Sequence, residues 1–467
     1  MKTVETDLTK MVGREWRAVA DEGRRLAGEL WAHPELGLAE VESARLLAGW
    51  LEHEGFSVVR DIGGLPTAFV ATAGEGSPAV GILLEYDALP ALGNAAVPSR
   101  RPLEHNGAGH ACGHNLIGAA NAMAAIAAAR AARRAGLPGK IVAYGTPAEE
   151  ILVGKVAMLD ADAFQAADVL LTHHADYSNA AVSRPCQSIV HGEIAFRGRA
   201  AHTGVVRGQN ALDALELLVQ TVERLRAHQF PDVSIEHAIR TPTYVMPSNT
   251  PEEIRVWFYV RHADYERAES VYRQLLELAD GAAATIGVST ASSVISSCRG
   301  YLPNDVLARL LHQRLEHVGA PSWSEEDLRF MADLCEAFAP GSGLHLEREI
   351  VLLDEGVDAY GQDDGEVSWH VPVGRVNYAC PQAIPLHSWA ATALFGTRAA
   401  WAGAAMCSQA IALAAVDLLR DPAVVEDARE ELSRRAPVTP PRTVAGAWRE
   451  LVADPARFWA GSWEMPA

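Results

Sequence analysis

Five short apolar runs constrain this chain more than any other feature: Phe56–Val59, Ala68–Ala71, Val80–Tyr86, Lys140–Gly145 and Val169–Thr172. Each is too short for a helix and nearly unbroken in apolar character, and loops or helical stretches separate one from the next. A strand that is apolar at almost every position is covered on both faces, which is the condition of strands inside an α/β sheet. The covering helices are legible too. Leu26, Leu30, Leu46, Leu47 and Trp50 fall at helical spacing. Asn115–Ala135 reads as the helix before the fourth run, and Trp401–Arg420 as one that closes the core.

The texture changes at Ile189. Ile189–Arg197 and Ile254–Arg261 alternate like half-buried strands, while Asn210–Ala227 and Tyr265–Ile286 read as amphipathic helices. This describes a small α+β unit with one open sheet face, ending near Arg299, where Gly300 and Pro303 punctuate the chain. Helical texture returns after Asn304, Ala339–Gly365 is rich in loop residues, and Ala436–Pro441 carries three prolines and begins a tail. With 467 residues and roughly 150 per domain, the division expected is 1–188 and 300–467 for a large α/β unit, interrupted by a smaller unit at 189–299.

Charge narrows the partners. Forty Lys and Arg stand against 59 Asp and Glu, a formal net charge of −19, and no basic stripe is present. That argues against nucleic acid and against an anionic membrane surface. The first residues, MKTVETDLTKMVGREW, hold no apolar leader segment. No run nears the ~20 uninterrupted apolar residues of a membrane span. A soluble, cytoplasmic protein is the expectation. The six cysteines are scattered with no short repeated spacing, so most read as buried small hydrophobes.

Cys112 is the exception. Gly109-His110-Ala111-Cys112-Gly113-His114-Asn115 places a thiol and two imidazoles within five positions before a helix. A Cys and a His two apart on a glycine-flexed loop can turn towards one cation, and thiolate with imidazole suits Zn²⁺ or another first-row divalent ion. Alone, the loop is as well read as a helix cap with an incidental cysteine. Two more clusters shift the balance. The Lys140–Gly145 run leads into Thr146-Pro147-Ala148-Glu149-Glu150, and Val169–Thr172 leads into His173-His174. Ligands of α/β sheets bind at the carboxyl ends of strands. Three metal-competent clusters at such ends make coincidence a poor explanation.

Several blocks occur in the order of a known family. They are His33-Pro34-Glu35-Leu36-Gly37 with Glu40, Gly64-Leu65-Pro66-Thr67-Ala68, Glu85-Tyr86-Asp87-Ala88-Leu89-Pro90, the His-Ala-Cys-Gly-His loop and the Pro-Ala-Glu-Glu turn. Arg197-Gly198-Arg199-Ala200-Ala201-His202, Asn210-Ala211-Leu212-Asp213-Ala214, Val367-Ser368-Trp369 and Pro385-Leu386-His387-Ser388-Trp389 complete the set. In these blocks the chain resembles the amidohydrolase branch of the aminoacylase/carboxypeptidase-like dinuclear metallopeptidases, and most closely its aminobenzoyl-glutamate utilisation protein B group.

The resemblance implies a zinc-peptidase-like α/β catalytic domain with a central mixed sheet, interrupted by an α+β lid and dimerisation domain. It implies two divalent ions per subunit, Zn²⁺ or Mn²⁺, with Cys112, His114, Glu150, His174 and His387 as ligands. Glu149 would be the general base that takes a proton from a metal-bridging water, and Asp87 would orient an imidazole ligand. His202 would reach across a homodimer to the neighbour's substrate, and Asn249 and Arg261 would touch a substrate carboxylate. The substrate would be a small-molecule amide, an N-acyl and specifically aryl-acyl amino acid or a dipeptide-like compound. Two alternatives remain: an aminohydrolase releasing ammonia from a small aromatic or heterocyclic amine or amide, and a non-catalytic binding partner. Close relatives have a Gly-Ser-Thr-Asp run where this chain has Gly361-Gln362-Asp363-Asp364-Gly365-Glu366. The added carboxylates, and the acidic stretch Ser322–Glu355, are expected to reshape the acyl pocket.

Overall fold

A computed structural model describes residues 2–104, 107–205, 208–240, 246–439 and 447–460. Six strands lead the chain: β1 Ser57–Ile62, β2 Leu65–Glu75, β3 Ala79–Leu84, β4 Gly139–Gly145, β5 Val169–Asp176 and β6 Asn179–Val182. An inserted group follows: β7 Ser188–Arg197, β8 Ala201–His202, β9 Ser234–Arg240, β10 Asn249–Thr250, β11 Glu253–His262 and β12 Ser289–Cys298. The last two are β13 Ile350–Leu353 and β14 Val373–Ala379.

The large sheet has eight strands in the order β1-β2-β4-β3-β5-β14-β6-β13. Its four central strands, β4, β3, β5 and β14, run parallel, and β2 and β6 flank them antiparallel. The expected mixed α/β sheet is therefore present, with four carboxyl ends on one edge. β3, β4 and β14 are almost wholly buried, in keeping with their unbroken apolar character. The first run differs. β1 is an antiparallel edge strand whose Val59 is 59% exposed, because only β2 covers it.

One face of the sheet is covered by the helices His114–Ala135 and Arg398–Arg420, and the helix Lys2–Ala32 packs against these two. The helix Arg398–Arg420 is long and apolar enough to cross a membrane by length and composition, which the sequence reading did not anticipate; 78% of that window is buried in the core. The acidic stretch 322–355 holds regular structure of its own. It holds the helix Glu325–Phe338, whose Ser324 and Asp327 form a reciprocal capping box, and β13.

The inserted strands form a four-stranded antiparallel sheet, β12-β7-β11-β9, and a two-stranded ribbon of β8 with β10. The helices Ala211–His228 and Tyr265–Ile286 cover one face through Leu215, Leu218, Tyr272 and Leu275 against Val190, Ile194, Val256 and Phe258. The other face is not open, as the alternation suggested. Ile189, Ala195 and Ile295 join a core shared with Val153 and Val156 of the large unit and with Trp448, Leu451 and Phe458 near the C-terminus.

That C-terminal segment, helices Trp448–Ala453 and Pro455–Trp459, bridges the two sheets. The Ala447 N–H donates to the Val294 carbonyl at 2.9 Å, and Arg240 donates to the Phe458 carbonyl while its guanidinium lies over the Phe458 and Trp257 rings. Trp459 Nε1 then donates to the Gly37 carbonyl of the large unit at 2.9 Å. Pro440 and Pro441, at the start of the tail, lie outside the described residues.

Candidate active site

The carboxyl ends of the parallel strands collect the titratable side chains. β3 runs on into Glu85 and Asp87, β4 into Glu149 and Glu150, β5 carries His174, and the loop after β14 reaches His387. Cys112 and His114 arrive on the loop that opens the His114–Ala135 helix. Gly113 there has φ +84°, a left-handed turn that a side chain would strain, and a Cβ would lie 3.2 Å from the Tyr378 hydroxyl. The His387 N–H donates to the Ala111 carbonyl at 2.9 Å, so the two loops are tied together.

Among the described residues, three overlapping groups of candidate ligand atoms result, each within 4.8 Å: Cys112, His114 and His174; Cys112, Glu150 and His387; His114, Glu149 and Glu150. Cys112 Sγ is 3.4 Å from His174 Nε2, and Glu150 Oε2 is 3.4 Å from His387 Nε2. His114 Nε2 lies 3.6 Å from Glu149 and 3.9 Å from Glu150. Asp87 supports both halves. Its Oδ1 takes His114 Nδ1 at 2.8 Å, and its Oδ2 accepts the Glu150 N–H at 2.9 Å.

These residues fit divalent ions. His114 Nε2, Glu150 Oε1 and Glu85 Oε2 are buried without a hydrogen-bond partner, and all three point into the same space. Burial and then the Glu85 and Glu150 carboxylates push Glu149 well above the ordinary carboxylate range. Burial likewise pushes the Cys112 thiol up. A site with so much buried negative charge and so few cations of its own calls for positive charge from a ligand. The donor set of thiol, imidazole and carboxylate suits first-row divalent metals.

The turn bearing the paired carboxylates is held from outside. Glu40, fully buried, accepts the Ala148 N–H at 2.7 Å and the Thr67 hydroxyl at 3.0 Å. Gly154 passes so close to Pro147 that a Cβ would sit 1.6 Å from its carbonyl oxygen. Glu85, with one oxygen facing His114, gives the other to Lys155 Nζ at 2.7 Å, and Lys155 also meets Asp363 at 2.5 Å. Burial works to raise the Glu85 carboxyl, but Lys155, His114 and His174 together outweigh it and hold it at about 2.

Sequence reasoning gave Lys155 no role. Its one signal is a lysine inside the apolar stretch Ile151–Leu159. The Gln362–Glu366 run also needs correcting, because its carboxylates are not free to line a pocket. Asp363 meets Lys155, Asp364 pairs bidentately with Arg375, and Glu366 binds Arg299, all buried.

The remaining candidates lie apart from the cluster. His202 and Asn249, both exposed, face each other in the β8–β10 ribbon. Arg261 pairs with Glu236 at 3.0 Å and lies over the Tyr259 ring. His110 and His173 serve the core, bonded to the Leu30 carbonyl and to Asn121 respectively. All six cysteines are free and buried.

Residues 82–345, more than half of the chain, match the model of Peptidase family M20/M25/M40. The chain belongs to that family and is a metal-dependent amidohydrolase, which the clustered ligands accommodate. It is 29% identical over 439 residues to one of the subunits of p-aminobenzoyl-glutamate hydrolase of Escherichia coli (strain K12), covering 87% of this chain and 91% of that one. It is 28% identical over 426 residues to Xaa-Arg dipeptidase of Mus musculus, with 87% and 88% covered. A dinuclear metal-binding peptidase of the M20 family from Bacillus subtilis shares the fold, at a TM-score of 0.55 and 19% identity over 86% of this chain and 99% of that one.

Proposed function

We propose that this enzyme hydrolyses the amide bond of an N-acyl, specifically aryl-acyl, amino acid, with Glu149 as general base. The observation that carries the reading is the divergence of two adjacent carboxylates. Glu150 belongs to both ligand groups that contain a glutamate and reaches His387 as well as the His114 side, while Glu149 enters only the group with His114 and does not meet Cys112 or His387 there. Two divalent ions, Zn²⁺ or Mn²⁺, held by Cys112, His114, Glu150, His174 and His387, would supply Lewis acidity and water activation. Glu149 accepts the proton released as water adds to the carbonyl and returns it to the leaving amine. Asp87 fixes the His114 ring through Nδ1, leaving Nε2 directed at the ligand space. The exposed His202 and Asn249 pair supports a homodimer in which each ribbon serves the partner's site.

The names of the two relatives, one acting on an aryl-acyl amino acid and one on a dipeptide, support this substrate class. The test is a product screen by mass spectrometry with Zn²⁺- or Mn²⁺-loaded protein and a panel of aryl-acyl amino acids, alkyl-acyl amino acids, dipeptides and aromatic amines. Free amino acid released fastest from aryl-acyl conjugates is the expected result. Ammonia from an aromatic amine, with every amide intact, would replace this reading with the aminohydrolase one.

A further inference from the structure

Three successive carbonyls leave the carboxylate-bearing turn, and each meets a side chain of the inserted sheet. The Tyr259 hydroxyl donates to the Glu150 carbonyl at 3.2 Å, His191 Nε2 to the Ile151 carbonyl at 3.1 Å, and the Ser296 hydroxyl to the Leu152 carbonyl at 2.5 Å. The donors form one row across three neighbouring strands. Tyr259 on β11 stands opposite His191 on β7, and His191 opposite Ser296 on β12.

The row is locked. Trp257 Nε1–H donates to His191 Nδ1 at 3.0 Å, so the ring's hydrogen sits on Nε2 and points at the turn. The Tyr259 ring stacks on the imidazole with centroids 4.4 Å apart. His191 and Ser296 are fully buried, and burial depresses the imidazole to about 3, which keeps it neutral.

The large unit grips the same turn from the other side, through Glu40 at the Ala148 N–H and Asp87 at the Glu150 N–H. Ala148 and Leu152 carry φ of +55° and +53°, a conformation that non-glycine residues hold only when their surroundings impose it. The turn therefore takes its shape from two bodies at once. A lid that swings away must break three hydrogen bonds or carry the turn with it.

We propose that Tyr259, His191 and Ser296 are positioning residues for the hydrolysis, coupling the placement of the inserted unit to that of Glu149 and Glu150. The inference rests on the reading of Glu149 as base. The experiment uses the full-length metal-loaded enzyme and the amide it turns over best. Tyr259→Phe and Ser296→Ala each delete one donor with little change of volume. Each is expected to lower kcat about tenfold and the pair about a hundredfold, with KM within about twofold, since a small misplacement of catalytic groups costs rates of that order. His191→Gln keeps a donor and should retain more kcat than His191→Met.

A purely structural role would lower the melting temperature and leave kcat per folded active site unchanged, and that result overturns the proposal. So does equal kcat in His191→Gln and His191→Met. Glu149→Gln, assayed alongside, separates the two readings. If it is inactive while the donor variants match wild type, the row fails and the base stands. If Glu149→Gln keeps wild-type turnover, the base reading falls and takes this one with it.

Discussion

A single carboxylate organises much of this site. Asp87 spends one oxygen on the His114 ring and the other on the Glu150 backbone, so it aligns a proposed ligand from the Cys112 loop with one from the β4 turn. Asp87→Asn should weaken metal affinity about 10- to 100-fold, read by competition with a chromophoric chelator. Glu149→Gln should bind metal like the wild type and lose about 10²–10⁴-fold in kcat; parallel loss of metal would instead make Glu149 a ligand. Lys155 is a different case. Lys155→Met strands Glu85 and Asp363 in the interior, and removing one member of a buried ion pair costs about 3–5 kcal/mol. Thermal unfolding measures it, and an unchanged midpoint would mean that water reaches these carboxylates. What the sequence made legible follows the same lines. Cys112 and His114, Glu149 and Glu150, and His173 and His174 declared themselves because their partners are neighbours in the chain. Asp363, Asp364 and Glu366 misled, because the cations that neutralise them lie at positions 155, 375 and 299.

Among elements, the turn from Pro147 to Gly154 has little freedom. Its Ala148 and Leu152 are left-handed, and Gly154 lies against the Pro147 carbonyl where no side chain fits. Gly154→Ala should therefore cost both stability and turnover, and a variant with wild-type kcat and melting temperature would show that the turn has room to shift. The strands differed sharply in legibility. β3, β4 and β5 were readable because two covering faces demand apolar residues throughout. β9 and β12 were not, since Ser234-Ile-Glu-His-Ala-Ile-Arg and Ser289-Thr-Ala-Ser-Ser-Val-Ile-Ser-Ser-Cys look like loop. In β12 the polarity has a physical cause: Ser296 spends its hydroxyl on a buried carbonyl, so a polar position that sequence assigns to solvent belongs to the interior.

At the scale of the molecule, the β8–β10 ribbon gives the proposed homodimer its test. A His387→Ala chain mixed with a His202→Ala chain should regain activity after subunit exchange, because one of the two sites then has both residues intact. Exchange without recovery would confine His202 to its own subunit. The C-terminal bridge bears on how the two units move. The chain crosses between them just before β7 and just after β12, and these crossings adjoin because Ile189 pairs with Cys298. Two adjacent anchor points leave a body one rotation, about the line that joins them. The Trp459–Gly37 hydrogen bond adds a third anchor. Three anchors that do not share a line leave no rotation. Removing residues 447–467 leaves the Tyr259, His191 and Ser296 hydrogen bonds as the ties that remain and should loosen the unit, seen as a larger radius of gyration in solution scattering; an unchanged profile would place the constraint in those bonds. With the bridge in place, the inserted unit and the large one behave as a single truss, and any opening has to release Trp459 in addition to the ties from Tyr259, His191 and Ser296.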